Sequence, residues 1–359
     1  AKEPYAVAVE RTCGLVSVFD AKVIGTEEYA EADAFFIDRV VKFMLWARGG
    51  FKVYLCGIEK LAQGVKQAYT DTGSRSFDKK FMENVYEHPF EVVALPYSEK
   101  PAAKEASKAI GRHLKGCRIG FDAGGSDRKV SAVVDGEPVY SEEVVWFPKE
   151  QSDPDYHYNG IVEAFKTAAA KMPRVDAIGV SSAGIYIDNK CMVASLFRKV
   201  SDEEFKAKVQ NIYLRAAKEI GDVPVEVAND GDVTALAGAM SMDATGVLGI
   251  AMGTSEAVGY IDHQGNITGW LNELAFAPVD GQPGAAQDEW SGDIGVGTLY
   301  FSQDAVIKLA PAAGIELKGP SPAEKLKEVQ ALMEADDDRA AAIYRSIGVY
   351  LRHALGRYS

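Results

Sequence analysis

The chain has 359 residues, 47% of them hydrophobic, with 39 Lys and Arg against 52 Asp and Glu and a formal net charge of -13. That length supports a large core and two or three domains, and an acidic balance with no Lys/Arg cluster speaks against a nucleic-acid footprint. Cys13, Cys56, Cys117 and Cys191 form no Cys-x-x-Cys pair, so neither a zinc knuckle nor a disulfide framework is expected, and a reducing cytoplasm is the expected location.

In chain order, Ala1 to Ala8 lacks the apolar core of a signal peptide, and no later apolar run approaches the ~20 residues of a membrane span. A soluble globular protein with no membrane partner is expected. Tyr5 to Val9 and Leu15 to Phe19 predict two strands around a turn, and Ala32 to Ala47 has helical apolar spacing. After Gly49-Gly50, Phe51 to Cys56 predicts a strand, Ile58 to Tyr69 and Phe77 to Tyr86 helices, and Glu91 to Pro96 a strand. Residues 1–115 therefore read as an α/β domain of their own, with a linker at Ser98 to Lys104 and a short helix near Lys104 to Leu114.

The segment Arg118 to Val134 is more informative. An alternating apolar run ends in Asp122, turns through Gly124-Gly125-Ser126 and resumes as a second run closing at Asp135-Gly136. Adjacent glycines let backbone N–H groups converge on an anion, and a carboxylate at a strand end can hold a hydrated dication. An ordinary Gly-Gly hairpin accounts for the pattern at least as well. Pro138 to Phe147 predicts a third strand, Ile161 to Lys171 a helix, and Asp176 to Val180 a buried strand running into Ser181-Ser182-Ala183-Gly184. That small-residue turn either admits a ligand or simply turns tightly. Glu203 to Ile220 predicts one long helix, and Val223 to Ala228 a strand delivering Asn229-Asp230-Gly231-Asp232 before a helix over Val233 to Met240. Ligands in α/β sheets sit beyond carboxyl strand ends, which suits Asp230, while Asp232 is also a natural helix cap. Gly246 to Met252, Gly253-Thr254-Ser255 and Ala257 to Ile261 then repeat the strand–turn–strand pattern.

Ile119-Gly-Phe-Asp-Ala-Gly-Gly-Ser126 resembles the first phosphate motif of the sugar-kinase, actin and heat-shock-chaperone ATPase superfamily. Val225-Glu-Val-Ala-Asn-Asp-Gly-Asp-Val-Thr-Ala-Leu236 is similar to the ROK branch, Ile250-Ala-Met-Gly-Thr-Ser255 to its second phosphate motif, and Glu273-Leu-Ala-Phe-Ala-Pro-Val279 to its Gly-Glu-x-Gly-His segment. The likeness covers about residues 117 to 359, in family order. It departs at the zinc site, where Phe276 replaces the His and Asp288 to Ser302 holds no Cys, so zinc is not expected. It departs also near Tyr300, where the family has a sugar-binding Glu, and after Ser359, where no Gly-rich adenosine motif follows.

The resemblance implies an α/β, actin-like (ribonuclease H-like) ATPase of two lobes, 117–228 and 229–359, the second lacking its C-terminal part, behind the extra domain 1–115. It implies transfer of the γ-phosphoryl group of ATP to a hydroxyl of a hexose or N-acetylhexosamine, with Mg²⁺ and no zinc, and a possible homodimer as the expected assembly. Asp230 is then the catalytic base; Asn229, Glu273, Ser182 and Gly184 bind sugar; Gly124, Gly125, Ser126, Gly253 and Thr254 line phosphates; and Asp122 orders magnesium through water. The alternatives are a non-catalytic sugar- or nucleotide-sensing regulator and an activator-type ATPase acting on a protein partner.

Overall fold

The structure, a computed structural model, describes residues 2–358, so what the sequence suggested for Ala1 and Ser359 lies outside it. The chain is α/β with mixed sheets and divides into two compact units. The first comprises Ala1–Ala106, Ile250–Val258 and Gly269–Ser359, and the second Ser107–Gly249 and Gly259–Thr268.

The first unit opens with β1 (Glu3–Arg11), β2 (Leu15–Val23), α1 (Ala30–Arg48), β3 (Lys52–Cys56), α2 (Glu59–Ala68), α3 (Ser76–Tyr86) and β4 (Glu91–Leu95). Its sheet runs β2-β1-β3-β4, with β1 antiparallel to both neighbours and β3 parallel to β4. Tyr5 to Val9 are all fully buried, as a central strand covered on both faces requires. Ile37, Val41 and Leu45 form the i, i+4, i+8 stripe that α1 buries, each worth roughly 1.5–3 kcal/mol. Gly49 stops the helix at φ 83°, where a Cβ would collide with the Tyr86 hydroxyl.

The second unit contains β5 (Ser107–Lys108), β6 (Cys117–Ala123), β7 (Asp127–Val134), β8 (Glu137–Val145), α4 (Pro154–Ala169), β9 (Ala177–Ser182), β10 (Ile185–Ile187) and β11 (Lys190–Val193). It continues through α5 (Asp202–Glu204), α6 (Ile212–Lys218), β12 (Val225–Asn229) and α7 (Asp230–Ser241). The main sheet is ordered β12-β9-β6-β7-β8; β6, β9 and β12 are parallel, and β7 and β8 antiparallel. Asp153 caps α4 by accepting from the Asp155 N–H at 2.9 Å, with Pro154 in the first turn. Ile161, Phe165 and Ala168 of α4 are buried in the same core as Phe121, whose ring meets Phe165 edge-on at 5.4 Å. A second sheet runs β13 (Val247–Met252), β14 (Glu256–Ile261), β15 (Ile267–Thr268), β5.

Three local expectations change. Residues 104–114 form no helix: Gly111 and Arg112 have φ 81° and 59°, and Ser107–Lys108 pairs with β15. The helix expected over Glu203 to Ile220 is broken by a π turn at Phe205–Val209, where the Gln210 N–H bonds the Phe205 carbonyl. α7 begins at Asp230 rather than Val233 because Asn229, not Asp232, is its cap.

The first unit ends with α8 (Gln303–Leu309), α9 (Pro322–Glu334) and α10 (Asp338–Tyr358). Ser321 and Glu324 close a capping box on α9. The loop before α8, where thiolates are lacking, is held by charge: Asp293 meets Arg39 at 3.1 Å, Lys42 at 3.1 Å and Arg75 at 2.8 Å. Asp38 and Asp78 complete the balance against Arg75 and Lys42. No helix among the described residues is long and apolar enough to cross a membrane.

Candidate functional site

The register of three parallel strands builds the site. Asp122 on β6 lies opposite Ser181 on β9, and Ser182 opposite Asn229 on β12, so three carboxyl strand ends converge. The Ser181 hydroxyl donates to Asp122 Oδ1 at 2.8 Å. Asp230, the next residue after β12, has its carboxyl raised, chiefly by burial, with the Asp122 charge adding and the Gly231 N–H opposing. Asp122 and Ser181 line a cavity of about 1180 Å³, bounded by this sheet face, α7 and residues 109–114.

The turn after Asp122 is pinned. Gly124 N–H donates to Asp127 O at 3.0 Å, and Trp146 Nε1 donates to Gly124 O at 2.8 Å. The Lys149 ammonium lies 2.8 Å from the place a Gly125 Cβ would occupy, so a cation covers the glycine turn. The sequence marked Ser181 only as part of a small-residue turn, with no role toward Asp122, and did not mark Lys149. Ser181 could have been found from the strand register, but Lys149 is brought in by a loop with no local signature.

Several side chains are already committed. Asn229 Oδ1 accepts from Gly231 N–H at 2.7 Å and its Nδ2 donates to Gly184 O at 2.7 Å. Ser182 is fully buried, receiving the Tyr186 hydroxyl at 2.7 Å and bonded to the Tyr213 hydroxyl at 2.9 Å. Gly184 has φ 133°, and a Cβ there would meet Val193 O at 2.5 Å. Asp232 is 8% exposed inside the first turn of α7 and accepts from Tyr260 N–H at 3.3 Å.

Asp122, Gly124, Gly125, Ser126, Ser182, Gly184, Asn229 and Asp230 thus share the second unit, while Gly253, Thr254 and Glu273 belong to the first. In the first unit Gln303 N–H donates to Gly253 O at 2.8 Å, and the Ser255 and Thr298 hydroxyls meet at 3.0 Å. Glu273 N–H donates to Trp46 O at 3.0 Å. Nearby in sequence, Glu256 is 5% exposed and its carboxyl is pushed from the ordinary 4.5 to about 8. Burial is the main cause; the Tyr358 hydroxyl opposes it and the Glu273 charge adds to it. Among the described residues no group of three or more His, Cys, Asp or Glu is disposed to hold a metal directly. With Asp122 Oδ1 taken by Ser181, Oδ2 remains for a water of a hydrated dication, hard oxygen chemistry that suits magnesium.

No family model and no curated protein matches the chain. Among solved structures it is similar to a ROK family transcriptional regulator, a homologue of the E. coli Mlc protein, with TM-score 0.52 and 18% identity over 66% of this chain and 61% of that one. A ROK hexokinase from Thermus thermophilus gives 0.47 and 18%, over 65% and 74%. A ROK family glucokinase from Streptomyces griseus, in complex with glucose and AMPPNP, gives 0.45 and 21%, over 66% and 76%. The chain therefore has a ROK-type α/β fold over about two thirds of its length, and it spans 61% of the regulator.

Proposed function

We propose that the protein is an ATP-dependent sugar kinase of the actin-like, two-lobed type, acting on a hydroxyl of a hexose or N-acetylhexosamine. The observation that carries this reading is the pairing of Asp122 with Ser181 beside a half-buried Asp230 whose proton affinity is raised. A general base works best with a pKa drawn toward the working pH, and burial plus a neighbouring charge supplies that shift. Magnesium-ATP, when bound, supplies the phosphoryl group and neutralises charge as it transfers. Asp230 takes the proton of the attacking hydroxyl. Asp122, oriented by Ser181, would hold the dication through its water shell. Gly125 and Ser126 offer backbone donors to the phosphates with Lys149 above them, and Gly253 and Thr254 form the second phosphate turn. Glu273 and Asn229 read sugar hydroxyls, Asn229 through whatever capacity its capping bonds leave. Gly184 keeps its turn tight enough for close approach, with Ser182 supporting it from behind.

A coupled ADP-release screen over hexoses and N-acetylhexosamines tests the reading. Sugar-dependent release supports it; no release with any sugar contradicts it. The second reading, a non-catalytic sugar or nucleotide sensor, is favoured by the likeness to a transcriptional regulator and by the committed side chains of Asn229 and Ser182. Sugar binding without ADP release would select it.

A further inference from the structure

The first unit contains a separate cavity of about 610 Å³, inside the ~300–1,000 Å³ range usual for small-molecule sites. One stripe of α1 forms a wall, with Phe36, Arg39, Val40 and Phe43 at helical spacing. Phe19, Phe35 and Phe36 border it while 40%, 48% and 41% exposed, a concentration of phenyl surface that marks an interaction site.

Beyond that stripe, Trp270 and Glu105 are held in place by their neighbours. Trp270 Nε1 donates to Glu105 at 3.0 Å, and Glu105 accepts as well from Arg11 and Ser17, which are 2% and 4% exposed. The Arg48 guanidinium lies 3.4 Å over the Trp270 ring centroid. The pair of buried Arg11 with partly exposed Glu105 therefore holds the Trp270 ring against which Arg48 stacks at the cavity, the kind of supporting shell a rigid binding surface needs.

The charged side chains at the cavity cancel. Arg39 and Arg48 stand against Glu105 and Asp280, with Arg39 further tied to Asp293 by two bonds and Glu105 to Arg11. An ionised ligand would lose its hydration there with no net charge to repay it. We propose that this cavity binds an uncharged, planar aromatic compound of about two fused rings, extending the Arg48–Trp270 stack between Phe19, Phe36 and Phe43. The site is independent of the phosphoryl-transfer reading.

Calorimetric titration of the full chain with 2-naphthol at pH 7 tests it. Saturable binding with Kd of about 0.1 mM is expected for a ligand of this size. The charged 2-naphthoate and the non-planar decahydro-2-naphthol should bind about tenfold more weakly or worse. Phe36→Asp, a change at an exposed position, and Trp270→Leu should each weaken 2-naphthol by about tenfold or more, with folding checked by circular dichroism. Met240→Gln, in the larger cavity of the other unit, should leave it unchanged. No saturable binding up to about 1 mM, equal affinity in Phe36→Asp and Trp270→Leu, or tighter binding of 2-naphthoate would each overturn the proposal.

Discussion

Asp230 is placed where ionisation is opposed twice, by burial and by the charge of Asp122. A carboxyl whose folded pKa lies above its unfolded value contributes most to stability below the unfolded pKa, and that contribution is lost as pH rises through the folded pKa. At neutral pH the ionised Asp230 therefore costs stability, and Asp230→Asn is expected to melt no lower than the wild type, a trade of stability against activity. The same charge state sets the rate: kcat/KM should fall on the acid side through a pKa above the ordinary Asp value of 3.8, read from a pH–rate profile. Glu256 gives the larger pH effect. Its folded carboxyl titrates at about 8 against an ordinary 4.5, so stability should decline as pH rises between those values. Urea unfolding at several pH values should show that decline in the wild type and a flatter profile in Glu256→Gln; equal slopes would remove Glu256 as the cause.

At the level of elements, α7 depends on its cap. Asn229→Ala removes the bond to Gly231 and the tie to Gly184, and should lower stability by ~0.5–2 kcal/mol in urea unfolding. The loop carrying Asp293 depends on charge. Asp293→Asn leaves Arg39, Lys42 and Arg75 short of an anion in a buried cluster and should cost about 3–5 kcal/mol, with a loss below 1 kcal/mol contradicting its anchoring role. Elements with a strong period were legible in sequence: the runs ending at Cys56, Asp122 and Ala228 appear as β3, β6 and β12, and Asp135-Gly136 turns the expected hairpin at φ 52° and 89°. Features set by distant partners were not. Residues 104–114 look helical in isolation, yet Ser107–Lys108 is drawn into pairing with β15. The helix before β12 carries its apolar period through a π turn that no residue type announces. At the site, Asp122 and Asp230 were visible because each ends an apolar run, whereas the Ser181 bond to Asp122 exists only through the parallel register.

For the whole molecule, the absence of Cys between Asp288 and Ser302 and the Asp293 cluster in that region predict a protein that needs no structural zinc. Elemental analysis of chelator-free protein should find well under one zinc per chain; one tightly held zinc would contradict this. Phosphoryl transfer with Asp230 as base is tested most directly by kcat of wild-type and Asp230→Asn protein in one coupled ADP-release assay, with sugar affinity measured in parallel. Removing the base should lower kcat by ~10²–10⁴ while sugar binding survives. Near-wild-type turnover in Asp230→Asn would contradict it.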